Sequence, residues 1–369
     1  MPIPTPIRAL IVETSTGRAS RLPHDLAEDA ELSVVGTAAA GNVLDKLERY
    51  QPDVVAVDLQ LPGETGFQAI RQIMTNYPLP VVVVGEGGTD GSLNFAALEA
   101  GALAVVQRPI EVPGAERDAQ IAALAQTLKL MSEVRVVRRR QRMAAPATLQ
   151  LASAPEATVV TPVRIRLIAI GASTGGPAVL QTILGGLAGD FPVPVVIVQH
   201  ITAGFVSSMV EWLQMGTALR LHVAEHNEPL LPGHVYFAPD QRQMGVNGSH
   251  VVLGPSEQED GHCPAVSYLF RSVAKTYGRS AVGVLLTGMG KDGAAELLQM
   301  RRQGSITIAQ ERESCIVYGM PGRAEDLDAV THYLPPDKIA PVLTALATQN
   351  KSAATALGAD QQVAVSGET

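Results

Sequence analysis

The stretch Leu-Ile-Ala-Ile-Gly-Ala-Ser-Thr-Gly-Gly-Pro at residues 167–177 has the pattern of a buried strand that turns tightly into a helix. Its apolar start is short, and the glycines that follow permit a sharp backbone path. Beyond the turn, apolar residues recur at helical spacing, namely Val179, Leu180, Ile183, Leu184 and Leu187. A short apolar strand followed by an amphipathic helix is typical of parallel sheets covered by helices, so this stretch predicts an α/β fold.

The same alternation is present in the first 110 residues. Five short apolar runs predict strands, at 8–12, 32–36, 54–57, 81–84 and 103–106. Amphipathic stretches between them predict helices, and one more helix is predicted over 116–131. Five βα units in succession predict a doubly wound parallel sheet of the flavodoxin type.

The length of 369 residues predicts two α/β domains. After residue 131 an arginine-rich run precedes a segment rich in Ala, Pro, Ser and Thr that lacks an apolar period. We therefore expect a first domain over 1–128, a linker over 129–162, a second domain over 163–350 and a flexible tail over 351–369.

Charge and composition exclude several classes of protein. The net charge of −8 argues against a nucleic-acid binder, because phosphate contacts need clustered Lys and Arg. The only cysteines, Cys263 and Cys315, lack the spacing of a disulfide framework or a zinc site. Apolar runs are all shorter than the ~18 residues of a membrane span. The sequence predicts a cytoplasmic protein that neither binds nucleic acid nor inserts into a membrane.

Three strand ends supply the groups of a serine hydrolase. Ser173 lies in a GxSxG turn, which exposes a nucleophilic hydroxyl. His200 follows the apolar strand 193–198, and Asp292 follows the strand 281–286. Parallel strands place their carboxyl ends at one edge of the sheet, where open α/β sheets bind ligands. The pattern predicts that the three side chains converge there.

Other interpretations compete with a nucleophile. Glycine-rich turns also hold dinucleotide phosphates, and Ser173 could be a helix cap. A dinucleotide site needs an acidic residue about 20 positions later, and the nearby Asp190 precedes the next strand instead of ending it. The order Ser, His, Asp differs from that of the α/β-hydrolase fold, where the carboxylate precedes the histidine. A dinucleotide-binding regulatory module stays open as an alternative.

The sequence resembles one family over nearly its whole length, the chemotaxis response-regulator protein-glutamate methylesterases. Six motifs of that family occur here in order: IGASTGGP at 170–177, VQH at 198–200, YFAP at 236–239, LFRSVA at 269–274, LLTGMGKDGA at 285–294 and CIVYGMPGRA at 315–324.

The resemblance implies a role for each candidate. Ser173 is the expected nucleophile, His200 the general base and Asp292 the carboxylate that orients the histidine. Met289 is similar to the family residue whose backbone N–H helps to hold the oxyanion. The turn itself suggests the N–H of Thr174 as a second donor. No cofactor is expected for catalysis.

The implied activity is hydrolysis of glutamate methyl esters on the cytoplasmic helices of chemoreceptors, with release of methanol and with glutamine deamidation as a second activity. A histidine kinase of the chemotaxis type is the implied second partner. An alternative is a hydrolase of the same design in another sensory pathway, such as motility or pilus signalling.

Two stretches depart from the family pattern. Cys-Pro-Ala-Val-Ser at 263–267 replaces an expected Arg-Pro-Ser-Val-Asp, and Gln243 stands where histidine is usual. We expect these departures to alter substrate affinity and preference.

The first domain resembles a response-regulator receiver in which Asp58 is the phosphoacceptor. Glu13 and Thr14 replace two acidic residues, Gly85 replaces a hydroxyl residue and Arg108 replaces a lysine. Mg²⁺ needs oxygen ligands, so Glu13 and Asp58 would form at most a weak Mg²⁺ site. These departures predict a degenerate receiver, regulated by binding or by constitutive docking over the catalytic face.

Overall fold

The computed structural model describes residues 5–13, 21–59, 65–85, 91–134, 164–259 and 261–348, except for the side chains of 91–94. Thr14, most of the predicted linker and the predicted tail lie outside these residues. Within the described part of the chain, no helix is both long enough and apolar enough to cross a membrane.

The first domain is a five-stranded parallel sheet with the order β2-β1-β3-β4-β5. Its strands are β1 (Ile7–Val12), β2 (Leu32–Ala38), β3 (Val54–Asp58), β4 (Val81–Gly85) and β5 (Ala104–Gln107). Its helices are α1 (Leu22–Leu26), α2 (Val43–Tyr50), α3 (Thr65–Asn76), α4 (Gly91–Glu99) and α5 (Ala115–Ser132). The central strands β3 and β4 are buried on both faces, which is why Val and Ala fill them up to their last residues, Asp58 and Gly85. The predicted five βα units are confirmed.

Helix α5 requires a correction to the predicted linker. The helix continues to Ser132, and Met131 is buried in the core of the domain. Lys129 forms ion pairs with Asp29 and Glu31 at 3.0 and 2.8 Å. Residues 129–132 therefore belong to the packed first domain, because side chains on two faces of their helical turn are held by the rest of that domain.

The second domain is a seven-stranded parallel sheet with the order β14-β13-β12-β6-β7-β9-β8. Its strands are β6 (Leu167–Ala172), β7 (Val195–Gln199), β8 (Arg220–Val223), β9 (His234–Phe237), β12 (Ala281–Leu285), β13 (Ile306–Gln310) and β14 (His332–Leu334). Its helices are α6 (Gly176–Gly185), α7 (Val206–Gln214), α8 (Val266–Tyr277), α9 (Ala294–Arg302), α10 (Met320–Asp326) and α11 (336–348). Apolar clusters cover both faces of the sheet.

A short antiparallel hairpin, β10 (Met244–Asn247) with β11 (His250–Leu253), packs against α8 outside the main sheet. The pattern of βα units did not predict it, although Asn-Gly at 247–248 between two short apolar runs is a common hairpin signal. The chain leaves this hairpin through the loop 254–265, described at 254–259 and 261–265, and its last residues lie at the sheet edge that carries the site.

The strand order places the site. Strand β6 lies between β7 and β12, so the chain leaves β6 toward one side of the sheet and later returns to the other. Such a switch point opens a crevice at the carboxyl ends of the strands. Ser173, His200 and the segment 287–292 all follow strands that end at this crevice.

The two domains are in contact through α4. Phe95 stacks on Trp212 of α7 with ring centroids 5.6 Å apart. The Glu99 carboxylate accepts hydrogen bonds from Gln181 and from the Trp212 ring N–H, at 2.9 and 3.1 Å. Ile316 and Val317 also pack against the core of the first domain. The first domain therefore reaches a segment that borders the crevice.

Candidate active site

Ser173 is held by its backbone on the turn between β6 and α6. Its N–H donates to the Thr287 carbonyl at 3.0 Å, and its carbonyl accepts the Gly176 N–H at 2.8 Å. Gly175 has a φ of +80°, in the left-handed region that favours glycine. The turn is therefore held by the backbone of Ser173, and these hydrogen bonds do not involve its hydroxyl.

Gln199 joins the backbone of the predicted nucleophile to that of the predicted base. Its side-chain amide donates to the carbonyls of Ser173 and His200, both at 2.8 Å, and the side chain is buried. The His200 N–H also donates to the Ala172 carbonyl at 2.9 Å. Sequence reasoning missed Gln199, although a polar residue that closes an otherwise apolar strand is a recognisable signal.

His200 and Asp292 meet as predicted. The His200 Nε2 atom lies 2.8 Å from Asp292 Oδ2. A carboxylate only accepts, so Nε2 carries the proton of the neutral ring and Nδ1 carries the lone pair. Nδ1 is buried, and no described residue forms a hydrogen bond with it. Nδ1 is therefore the atom that can accept a proton from a hydroxyl in the crevice.

Asp292 is fixed by the first turn of α8. Its Oδ2 atom also accepts the Val266 N–H at 2.7 Å, and its Oδ1 atom accepts the Ser267 N–H at 2.8 Å and the Ser267 hydroxyl. Burial raises the pKa of Asp292, but the hydrogen bonds and charge of His200 and the bonds from Ser267 outweigh burial and lower the pKa to about 2. The carboxylate is thus ionised at neutral pH.

Ser267 and Gln243, which both belong to the departures from the family pattern, form buried hydrogen bonds that hold parts of the site in place. The Ser267 hydroxyl donates to Asp292 and accepts the Gly293 N–H at 3.2 Å. A carboxylate at position 267 would instead place a second negative charge beside Asp292. The side chains of Ser267 and Gln243 are both buried and support the site, whereas Cys263 of the same departing stretch is half-buried.

Gln243 fixes the loop 254–265 with three hydrogen bonds. Its amide donates to the carbonyls of Glu257 and His262 at 3.0 and 3.1 Å, and its side-chain oxygen accepts the Ala265 N–H at 2.8 Å. This loop carries His262, whose ring stacks on the ring of His200 with centroids 3.9 Å apart and planes within 4° of parallel. Nothing in the sequence pattern singled out His262.

The two predicted oxyanion donors border the same crevice. The Gly288 carbonyl accepts the N–H groups of Gly319 and Met320 at 3.0 and 2.9 Å. In a trans peptide the carbonyl and the next N–H point in opposite directions, so the Met289 N–H points away from those partners. The N–H groups of Met289 and Thr174 form no hydrogen bond with any residue in the described ranges. Both are free to bind a developing negative charge.

Gly288 allows the segment 287–289 to approach the nucleophile. A Cβ atom at this position would lie 2.6 Å from the Ser173 Cβ and 2.4 Å from the Met320 sulfur. Thr287 anchors the same segment, since its hydroxyl donates to the Thr174 carbonyl at 3.0 Å. Any larger side chain at 288 would push the predicted oxyanion donor away from Ser173.

In the first domain, Asp58 ends β3 and is buried. Its Oδ1 atom is ion-paired with the guanidinium of Arg108. Burial lowers the pKa of Arg108, while the carboxylates of Glu111 and Glu13 raise it. Gly85 ends β4 and adds no hydroxyl to this pocket. No group of three His, Cys, Asp or Glu in the described part of the chain could hold a metal ion.

Comparisons with known proteins agree with this architecture. The family model described as CheB methylesterase matches residues 168–343, and the model described as response regulator receiver domain matches 9–114. The catalytic domain of CheB methylesterase from Thermotoga maritima, a solved structure, is 34% identical, covers 50% of this chain and 100% of that chain, and has a TM-score of 0.48.

Two curated relatives cover almost the entire chain. The protein-glutamate methylesterase/protein-glutamine glutaminase 4 of Geobacter metallireducens is 46% identical over 93% of this chain and 99% of its own length. The corresponding protein 1 of Syntrophus aciditrophicus is 45% identical over 92% and 98%. The family resemblance predicted from the six motifs is confirmed. The chain belongs to the protein-glutamate methylesterase/protein-glutamine glutaminase family, with a receiver domain ahead of a methylesterase domain.

Proposed function

We propose that this protein hydrolyses the methyl esters of glutamate side chains on the cytoplasmic helices of chemoreceptors, as the adaptation step of chemotaxis-type signalling. One observation supports this most strongly. The His200 Nε2 atom is 2.8 Å from a buried, ionised Asp292, and the opposite ring nitrogen is buried, while the backbone of His200 is hydrogen-bonded to the turn that carries Ser173. The names of the relatives supply the substrate class.

The first half of the reaction forms an ester with the enzyme. His200 Nδ1 takes the proton of the Ser173 hydroxyl while the Ser173 Oγ attacks the ester carbonyl carbon. Asp292 stabilises the imidazolium that forms. The imidazolium then returns its proton to the departing methoxide, the C–O bond to methoxide breaks, and methanol leaves. The glutamyl group is now bound to Ser173 Oγ.

The second half regenerates the serine. His200 Nδ1 takes a proton from a water molecule, whose oxygen attacks the acyl carbon, and the proton passes to Ser173 Oγ as the acyl bond breaks. The product is a glutamic acid side chain, which loses its proton to solvent at neutral pH and becomes a glutamate carboxylate. A glutamine side chain would follow the same steps with ammonia as the first leaving group. The Met289 and Thr174 N–H groups would hold the oxyanion, and one such donor contributes on the order of 10²–10³ in rate.

Methanol release tests the proposal. Methylated receptor membranes are incubated with the full-length protein, and we expect methanol to appear in proportion to the enzyme, with an equal number of new glutamate carboxylates on the receptor. A serine-directed fluorophosphonate should label Ser173. A dinucleotide-binding module with an inert serine would give neither result, and a hydrolase from another sensory pathway would take the label but leave these receptors methylated.

Mg²⁺ does not fit the receiver pocket of this chain. The receiver resemblance implies Mg²⁺ beside the phosphoacceptor, held by carboxylate oxygens. Here the Asp58 carboxylate is already neutralised by Arg108, with Glu13 also close to the guanidinium. A dication would have to displace this ion pair, in which the Asp58 carboxylate is buried and the Arg108 guanidinium is partly buried. We infer that the domain acts without Mg²⁺ and without phosphoryl transfer from a histidine kinase, through its contact with the catalytic domain.

The variant Arg108→Ala tests whether Arg108 acts as the internal counter-ion of Asp58. Removing one partner of a buried ion pair leaves the other charge uncompensated, so we expect a loss of about 3 kcal/mol in the free energy of unfolding. Millimolar Mg²⁺ should restore part of that loss in the variant and leave the wild type unchanged, as measured by thermal unfolding. Arg117→Ala, which breaks the separate pair with Asp25, serves as the matched control and should not respond to Mg²⁺.

Phosphorylation of the wild-type protein would contradict this inference. If acetyl phosphate and Mg²⁺ label Asp58 stoichiometrically and raise esterase turnover, the receiver is a working phosphorylation switch and the inference about Arg108 is wrong.

A further inference from the structure

We propose that His262 is a positioning residue for the general base, and that it acts as a flat surface that fixes the plane of the His200 ring. This inference rests on the proposed ester hydrolysis. It is drawn from the stack of the two imidazoles, whose centroids are 3.9 Å apart and whose planes differ by 4°. A face-to-face stack this close leaves little room for the His200 ring to tilt.

The backbone of His262 is fixed independently of its ring. The N–H and the carbonyl of His262 form hydrogen bonds with the carbonyl and the N–H of Glu259, both at 2.9 Å. The His262 carbonyl also accepts the Gln243 amide at 3.1 Å, and Gln243 is almost fully buried. A ring carried by so constrained a backbone can act as a fixed wall, whereas a ring on an untethered loop could not.

The His200 ring needs a contact on its face because the hydrogen bond at its edge does not fix the plane of the ring. Asp292 holds the ring at Nε2 through one hydrogen bond, and the torsion that turns an imidazole about its Cβ–Cγ bond is soft. A turn of the ring about that bond displaces Nδ1, the atom that must take the Ser173 proton. Misplacement of a reacting group by 1 Å can cost on the order of 10² in rate.

A flat face is not peculiar to imidazole. A phenyl ring at position 262 would provide the same flat face for the stack without a titratable nitrogen, and its face would also attract the imidazolium that His200 becomes during attack. The proposal therefore requires a flat aromatic ring at position 262 and does not require an imidazole.

The variants His262→Ala and His262→Phe separate the two requirements in the full-length protein. We expect His262→Ala to lower kcat for methanol release by between about tenfold and a hundredfold, with KM changed less than about twofold. His262→Phe should recover kcat to within about fivefold of the wild type. His250→Ala, an exposed histidine of β11, is the matched control and should leave both constants unchanged.

Two measurements need no ester substrate. The rate of fluorophosphonate labelling at Ser173 should fall in His262→Ala and recover in His262→Phe. The low-field proton signal of the His200–Asp292 hydrogen bond should broaden only in His262→Ala. If the proposed function is wrong, the wild type releases no methanol. The labelling rate and the proton signal still show in that case whether His262 positions the His200 ring.

Three results would overturn the positioning role. His262→Ala could be as active as the wild type, which would make the stack irrelevant to rate. His262→Phe could be as slow as His262→Ala, which would assign the role to an imidazole nitrogen. The alanine variant could change KM alone, which would make His262 a substrate contact.

Discussion

Ser173→Ala is expected to reduce methanol release from methylated receptors by on the order of 10⁵–10⁶, because removal of the nucleophile of such a triad leaves only the contribution of the oxyanion donors and substrate binding. The fold should be unaffected. The hydrogen bonds that hold residue 173 use its N–H and carbonyl, and alanine retains both. Methanol release, fluorophosphonate labelling and the midpoint of thermal unfolding measure the three expectations.

Ser249→Ala, an exposed serine of the second domain, is the matched control and should keep full activity and full labelling. Methanol release by Ser173→Ala at a rate near that of the wild type would mean that another group attacks the ester, and the assignment of the triad would be lost.

Asp292→Asn is expected to lower kcat by on the order of 10⁴. Asp292 accepts the Nε2 proton of His200 and so keeps the lone pair on Nδ1. An asparagine amide turned toward the ring would donate to Nε2, which would move the ring proton to Nδ1 and remove the base. Methanol release at saturating substrate measures the loss, and a decrease of less than tenfold would show that Asp292 does not set the tautomer.

The same variant should change how stability depends on pH. The folded pKa of Asp292 is about 2, below its ordinary value of 3.8, so the ionised group stabilises the fold above about pH 4 and loses that effect as the pH falls toward 2. The difference corresponds to about 2 kcal/mol, of which about 1 kcal/mol should be lost between about pH 6 and pH 3.

Denaturant unfolding at both pH values measures this loss. Asp292→Asn should lack it, whereas the exposed control Asp190→Asn should retain it. An equal loss in wild type and Asp292→Asn would show that other carboxyl groups account for the acid sensitivity.

The convergence of Ser173, His200 and Asp292 could be predicted because it follows from a local pattern. Each residue comes directly after a run of apolar residues long enough for one strand, and parallel strands that are covered by helices end at a common edge. The first domain was predictable for the same reason, since its five strands are buried apolar runs between amphipathic helices. In both domains the spacing of apolar residues along the chain predicts which segments form strands and which form helices.

The supports of the site could not be predicted in this way. His262 contacts His200 from a loop and Ser267 contacts Asp292 from the start of α8, while Gln243, just before the hairpin, holds the backbone of His262. Their partners are distant along the chain, and no spacing rule connects a loop histidine with the ring on which it stacks. Among the departures that we expect to alter substrate affinity, Gln243 holds the loop and Ser267 holds the carboxylate through hydrogen bonds that the sequence did not reveal.

The sequence by itself thus determined the fold class, the two domains and the strand ends at which Ser173, His200 and Asp292 lie, because strand and helix periods and the order of strand ends are local properties of the chain. Only the tertiary structure decided which nitrogen of His200 faces Asp292, that Arg108 neutralises Asp58, and that His262 lies over the base. These contacts join side chains from separate elements, so they depend on how the loops cross and pack, which a one-dimensional pattern does not specify.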